Sequence, residues 1–329
     1  MKLCVAGAGA WGTALAIHFS TRHSVTLWTR DAAHAATMQV ARSNLRYLPG
    51  HSFPPDLHIS ADLAGCVAAA DLILVTVPSA AFRSLLNKIV PTIDGKPLLW
   101  ACKGFEPGST LLLHQVAAQI LPDTVPRGVL SGPSFAAEVA NGLPTALTLA
   151  SRDAALRGLA PALHHQHLRV YTSDDVVGVE IGGALKNVIA IAAGISDGLH
   201  LGHNARAALI SRGLAEISRL GTLLGGQAET FMGLTGMGDL ILTATSDQSR
   251  NRQVGLRLAA GGTLDTILAE LGHVAEGVHT AHEVVRLAEQ MKVEMPIAQA
   301  VDRILHDRIP AREAVESLLN REPRPERHH

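Results

Sequence analysis

The sequence predicts two halves: an α/β N-terminal half built on a doubly wound, mainly parallel sheet, and an all-α C-terminal half. Three observations carry this expectation. Short apolar runs alternate with helical stretches over roughly the first 150 residues. A glycine-rich turn joins the first run to the first helix. Beyond about residue 175 the apolar spacing becomes helical almost throughout. The chain, at 329 residues, also exceeds what one hydrophobic core usually fills.

Lys2–Ala6 reads as a buried strand, Trp11–Thr21 as a helix and Ser24–Thr29 as a second strand. Asp71–Val77 and Pro97–Ala101 are apolar without alternation, as parallel strands covered on both faces must be. Val129–Ser131 and Thr145–Ala150 add two more strands. In the second half, Ala205–Leu224 and Thr280–Gln290 carry apolar residues at three- and four-residue spacings. Between the first strand and helix stands Gly7-Ala8-Gly9-Ala10-Trp11-Gly12, a G-x-G-x-x-G in a strand–turn–helix setting. Gly7 permits the tight turn, Gly9 lets backbone approach a pyrophosphate, and Gly12 allows close helix–strand packing. Residues 1–176 are therefore expected to form a Rossmann-like dinucleotide-binding domain and residues 177–320 a helical substrate and catalytic domain. The polar, Pro-rich segment 321–329 is expected to be a disordered tail, and His328-His329 need not be native.

Composition narrows the function classes. Hydrophobic residues make up 47% of the chain and aromatics 3%, so the cores must be largely aliphatic. A formal charge of −1 provides no global field for nucleic acid or acidic membranes, so an anionic ligand needs a local cluster of cations. Cys4, Cys66 and Cys102 are scattered without a C-x-x-C pair, which suggests neither a disulfide framework nor a zinc site. His164, His165 and His167 read as surface histidines, and no metal is expected. No secretory signal is recognisable, and Gly, His and charged residues interrupt the apolar runs, so the expectation is a cytoplasmic protein without a membrane span.

Several polar groups stand where chemistry is expected. The end of the second strand holds Arg30, which can pair with the 2′-phosphate of NADP, followed directly by Asp31. Lys186 and Asn187 interrupt an otherwise apolar helical run. A lysine there is either a functional acid/base or a snorkelling side chain with its stem on the core. In Gly233-Leu234-Thr235-Gly236-Met237-Gly238-Asp239, the glycines allow close approach and Asp239 can pair with a cation such as Lys186. Ser249, Arg250 and Asn251 line up hydroxyl, guanidinium and amide donors suited to a phosphate or vicinal hydroxyls.

Longer segments carry a resemblance. They are GAGAWGTALA, the VPS at 77–79, ACKGFE around Lys103 and SGPSFAAEVANGLPTA at 131–146. Further on come GGALKNVIAIAAGISDGLHLGHNARAALISRGLAE at 182–216, TFMGLTGMGDLILT and SRNRQVG. In these the chain resembles the bacterial NAD(P)-dependent glycerol-3-phosphate dehydrogenases along nearly its whole length. The resemblance implies reversible reduction of dihydroxyacetone phosphate to sn-glycerol 3-phosphate with NADPH or NADH, feeding glycerophospholipid synthesis, by a homodimer. It implies that Ala10, Trp11 and Arg30 line the cofactor site with Gly7, Gly9 and Gly12, joined by Ala136, Val274 and Glu276. Lys103 and Arg250 would touch both cofactor and substrate. Gly132, Ser134, Ser249 and Asn251 would hold substrate, Lys186 would be the general acid/base and Asp239 its orienting partner. Family members vary at the position after Arg30, and Asp31 here leaves NADH against NADPH open. The competing readings are a related dehydrogenase of a hydroxy or sugar acid, and a non-catalytic NAD(P)-binding regulator.

Overall fold

The computed structural model describes residues 1–271 and 275–322. The chain opens with β1 (Lys2–Ala6), α1 (Ala10–Ser20), β2 (Ser24–Trp28) and α2 (Ala32–Ala41). A small antiparallel hairpin follows, β3 (Ser43–Asn44) and β4 (Leu48–Ser52). Next come β5 (Leu57–Ser60), α3 (Leu63–Ala69), β6 (Leu72–Val75), α4 (Ser79–Ile93) and β7 (Leu98–Trp100). Then α5 (Leu113–Ile120), β8 (Arg127–Ser131), α6 (Ala136–Ala140) and β9 (Thr145–Ala150) lead through the single turns α7 (Ala154–Arg157) and α8 (Ala160–Leu163) to β10 (Leu168–Ser173). The main sheet runs β10-β9-β8-β7-β6-β1-β2-β5, parallel except where β8 meets β9. Strand order reverses at β1, which lies between β6 and β2. In such a sheet the crevice at the carboxyl ends of these strands is where a ligand sits.

The central strands follow the sequence reading: β1 and β6 are buried nearly end to end, and β9 keeps the expected bounds. The sequence reading misses β5 and β10, the two edges. LHIS and LRVYTS alternate polar with apolar residues because only one side of an edge strand meets the core, and the runs are short. The few aromatics are also core: Trp100, Phe19, Phe82, Phe105 and Phe231 are among the largest fully buried side chains.

From Val176 onward the described residues are helical: α9 (Val176–Gly198), α10 (Gly202–Leu223), α11 (Ala228–Met232), a π-helical turn (Leu234–Gly238) and α12 (Asp239–Thr245). They continue with α13 (Arg250–Ala259), α14 (Leu264–Leu271), α15 (Glu276–Met291), α16 (Pro296–His306) and α17 (Ala311–Leu319). Helix α9 starts on Asp175, whose carboxylate accepts the Gly178 N–H at 2.8 Å, and it forms the centre of the helical half. The reading that every apolar run is interrupted is corrected here, while the expectation of no membrane span is not contradicted. Helix α9 is long and apolar enough to cross a membrane, yet 94% of its most apolar window is buried inside the protein. A helix that is apolar all round is equally suited to a protein core, and neighbouring helices supply that core.

Glycines set how close those neighbours come. A Cβ on Gly194 would stand 2.1 Å from the Arg252 carbonyl oxygen, and one on Gly255 would stand 2.1 Å from that of Ile191. Backbone therefore packs on backbone where α13 crosses α9, which fixes the first turn of α13 beside Asn187. A Cβ on Gly182 would likewise meet the Thr235 carbonyl oxygen at 2.4 Å, seating the π-helical turn, and with it Asp239, on α9. A π-turn inside helical structure often accompanies a functional site.

Candidate active site

The glycine loop divides its labour as the sequence implied. Gly7 has φ +133°, and a Cβ there would meet Thr76 at 2.8 Å. A Cβ on Gly12 would meet the Gly7 carbonyl oxygen at 2.0 Å, so only glycine lets α1 lie on β1. Above Gly9 a Cβ would meet nothing within 4 Å, and α1 begins there without a side-chain cap. The open space and the uncapped N–H groups suit a pyrophosphate. Ala10 and Trp11 are half-buried on the first turn of α1, and Ala136 opens α6, which packs against α1.

Arg30 is exposed just past the end of β2. Asp31 beside it is occupied: its carboxylate caps α2 by accepting the His34 N–H at 3.0 Å, and that bond holds its pKa below the usual value. One oxygen of this carboxylate is thus engaged in helix capping. Arg46 lies over the Tyr47 ring at 5.0 Å and helps keep Asp31 ionised.

The loops after β7 and β8 meet the helical half in one polar array. Asp239, with no exposure, receives Lys103 Nζ on Oδ2 at 2.5 Å and Lys186 Nζ on Oδ1. Lys186 also donates to Thr243 Oγ1 at 2.8 Å, and Lys103 to the Gly132 carbonyl oxygen at 3.0 Å. Gly132 holds φ +145°, where a Cβ would meet the Ala146 carbonyl oxygen at 2.8 Å. Its carbonyl also receives the Ser134 hydroxyl at 3.1 Å. Lys103, Gly132, Ser134, Lys186 and Asp239, scattered in sequence, therefore form one cluster.

Lys186 is 7% exposed, which rules out the snorkelling alternative. Burial brings its pKa down to about 7, with Asp239 pulling up and Lys103 pushing further down. The charge that adds to the lowering by burial is Lys103, brought there from the loop after β7. Asp239 draws both lysines onto one carboxylate.

The Ser249-Arg250-Asn251 segment begins α13. Ser249 caps the helix by accepting the Arg252 N–H at 3.2 Å, and its hydroxyl hydrogen can still be donated. Asn251 donates to Asn187 Oδ1 at 2.9 Å and accepts the Gly277 N–H at 3.0 Å, tying α9 to the start of α15. Arg250 is exposed, and its charge acts on Glu276. Glu276 accepts the Ser79 hydroxyl at 2.9 Å, and burial holds its pKa above the usual value. Val274 lies outside the described residues.

Three participants and one structural anchor escaped the sequence reading. Thr243 lies one turn after Asp239, a spacing that puts both on one helix face. Ser79 lay unassigned in VPS, and Asn187 was noticed only as a polar exception. Glu180 gave no signal beyond being a charge in an apolar run. It accepts from Trp100 Nε1 at 2.8 Å and from the His114 N–H at 3.0 Å, bonding α9 to the sheet half.

Comparison with known proteins agrees along the whole length. The family described as NAD-dependent glycerol-3-phosphate dehydrogenase N-terminus matches residues 2–157, and its C-terminal counterpart matches 175–316. The glycerol-3-phosphate dehydrogenase (NAD(P)+) of Thiobacillus denitrificans is 62% identical, covering 99% of this chain and 100% of its own. That of Aromatoleum aromaticum is 58% identical with the same coverage. Among solved structures, glycerol-3-phosphate dehydrogenase from Coxiella burnetii superposes with TM-score 0.94 at 44% identity, over 97% of this chain and 99% of that one. A ketopantoate reductase from Ralstonia eutropha, at TM-score 0.62 and 18% identity, shares the fold alone. The chain belongs to the NAD-dependent glycerol-3-phosphate dehydrogenase family.

Proposed function

We propose that this chain catalyses the reversible NAD(P)H-dependent reduction of dihydroxyacetone phosphate to sn-glycerol 3-phosphate, with Lys186 as general acid/base. The observation that carries the assignment of roles is the buried Lys103–Asp239–Lys186 array, which holds an ammonium of lowered pKa in place. The loop from Gly7 to Gly12 fits a pyrophosphate, with Ala10, Trp11 and Ala136 beside it and Glu276 facing the site from α15. When bound, the nicotinamide cofactor supplies or accepts the hydride. Arg30 takes the 2′-phosphate of NADPH, so NADPH is accepted alongside NADH.

In the reductive direction negative charge develops on the C2 oxygen of the substrate. Two of the three Lys186 N–H donors are held by Asp239 and Thr243, which aims the third at that oxygen. Protonated Lys186 stabilises the charge and then gives up its proton. In the oxidative direction neutral Lys186 takes the C2 hydroxyl proton. Lys103 and Arg250 meet the substrate phosphate, the local cationic cluster that a near-neutral chain requires. Gly132, Ser134, Ser249 and Asn251 complete the substrate grip.

The family matches, with a break between 157 and 175, support a dinucleotide-binding domain at 1–176 and a catalytic domain at 177–320. Three free, buried cysteines suit the reducing cytoplasm, and a homodimer supplying glycerophospholipid synthesis is the setting we infer. The test is oxidation of NADPH or NADH by purified protein on addition of dihydroxyacetone phosphate. No turnover with either cofactor sinks the proposal.

A further inference from the structure

Helices α15 and α16 pack against each other. His282 lies on α15, while Asp302 and His306 lie one turn apart on α16 and so share a face. Asp302 Oδ1 stands 3.4 Å from His282 Nδ1 and 3.6 Å from His306 Nε2. Both gaps exceed the roughly 2.7–3.2 Å of an N–H···O hydrogen bond. Oδ1 is also a buried oxygen that no donor among the described residues meets at full hydrogen-bond geometry, the His282 ring being the nearest. A buried, unpaired carboxylate oxygen is unfavourable unless a donor or a cation meets it.

A shared cation explains the spacing. Ligand atoms about 2.0–2.2 Å from a tetrahedral zinc ion lie about 3.4 Å from one another. The two measured gaps match that edge, while the three ligand atoms as a set are bounded only at 4.8 Å, so the two imidazoles must draw together to share an ion. The imidazole rings meet at 63° with centroids 5.3 Å apart, so they occupy separate directions around the carboxylate. Two imidazoles and a carboxylate are a usual zinc donor set, with a fourth position for water. The neighbouring Asp307 adds negative charge, which favours a cation there. His306 Nε2 faces the Val278 carbonyl oxygen at 3.2 Å, and ligation through Nε2 would give up that contact.

We propose that His282, Asp302 and His306 bind a divalent transition metal of the zinc type, stapling α15 to α16. The site is separate from the reaction and would stiffen the helix whose first turn carries Glu276. No single stretch of sequence reveals it, because its ligands come from two helices.

The test titrates chelator-stripped, full-length protein with zinc chloride against a chromophoric chelator. It compares wild type, His282→Ala, Asp302→Asn and a His164→Ala/His167→Ala control, with folding checked by circular dichroism. The control addresses histidines outside the site, since the chain has 17 histidines in all, His282 and His306 included. His282 is 51% exposed at its side chain, so His282→Ala should fold normally. Wild type and control are expected to show one saturable site and a zinc-dependent rise in Tm. Both site variants should bind at least about tenfold more weakly, the loss that even outer-shell changes bring, and their Tm should not respond. Affinity unchanged in His282→Ala and Asp302→Asn, or no saturable binding by wild type, overturns the proposal.

Discussion

Glu180 and Lys186 are both buried charges on α9, yet their surroundings differ in kind. Glu180, 6% exposed, is enclosed by donors from the sheet half: the Trp100 indole, the His114 backbone N–H and the His114 ring. Lys186 shares a single carboxylate with a second lysine and keeps a donor for a ligand. The first arrangement fastens two halves of a molecule together. The second leaves a proton whose departure costs little near neutral pH, because burial and Lys103 oppose the charge while Asp239 supports it. Burial of a charge is therefore a poor guide to chemistry by itself. Whether its partners close the group off or leave it shared is the better guide.

The comparison can be broken by exchanging the two outcomes. Lys186→Ala should lower kcat about 10³-fold, the combined scale of proton transfer and charge stabilisation, while NADPH still binds. Glu180→Gln should leave turnover per folded molecule nearly unchanged but cost about 1–3 kcal/mol, seen as a lower Tm, because it sets an amide donor against other donors. If Glu180→Gln loses turnover and Lys186→Ala only stability, the assignment is reversed.

Asp239→Asn should reduce kcat about 10²-fold. It removes the anion that raises the Lys186 pKa, so the pH above which reduction fails should move down; an upward shift would contradict the array. Arg30→Gln should weaken NADPH about tenfold or more, the scale of a charge-assisted contact, and spare NADH. Equal losses with both cofactors would remove Arg30 from the 2′-phosphate.

The smallest effect concerns a third buried charge. Glu216 on α10 accepts the Ile297 and Ala298 N–H groups at the start of α16, and burial pushes its pKa up to about 7. The folded chain then holds a proton that the unfolded chain releases near 4.5, so this group's contribution to stability falls as pH rises from about 4.5 to about 7. Glu216→Gln should flatten that slope in Tm against pH, and an unchanged slope would place the titration elsewhere.

What the sequence discloses follows from where each signal resides. Strands β1, β6 and β7 are buried on both faces and read as plain apolar runs, whereas edge strands β5 and β10 half face solvent and read as loops. The glycine loop is legible because local backbone demands fix its spacing. Lys186 is legible as an anomaly in an apolar helix. The pairing of Asp239 with Lys186 is anticipated in the sequence, but its sharing with Lys103 is not legible, because loops from distant strands and a π-helical turn bring them together.

The pH dependence of kcat/KM for both directions of the reaction tests the role of Lys186 most directly, since that ratio reports groups of the free enzyme. Reduction of dihydroxyacetone phosphate should fall as pH rises through about 7, and oxidation of sn-glycerol 3-phosphate should rise over the same interval. Two profiles that move together, or that show no break near 7, would contradict a shared proton on Lys186.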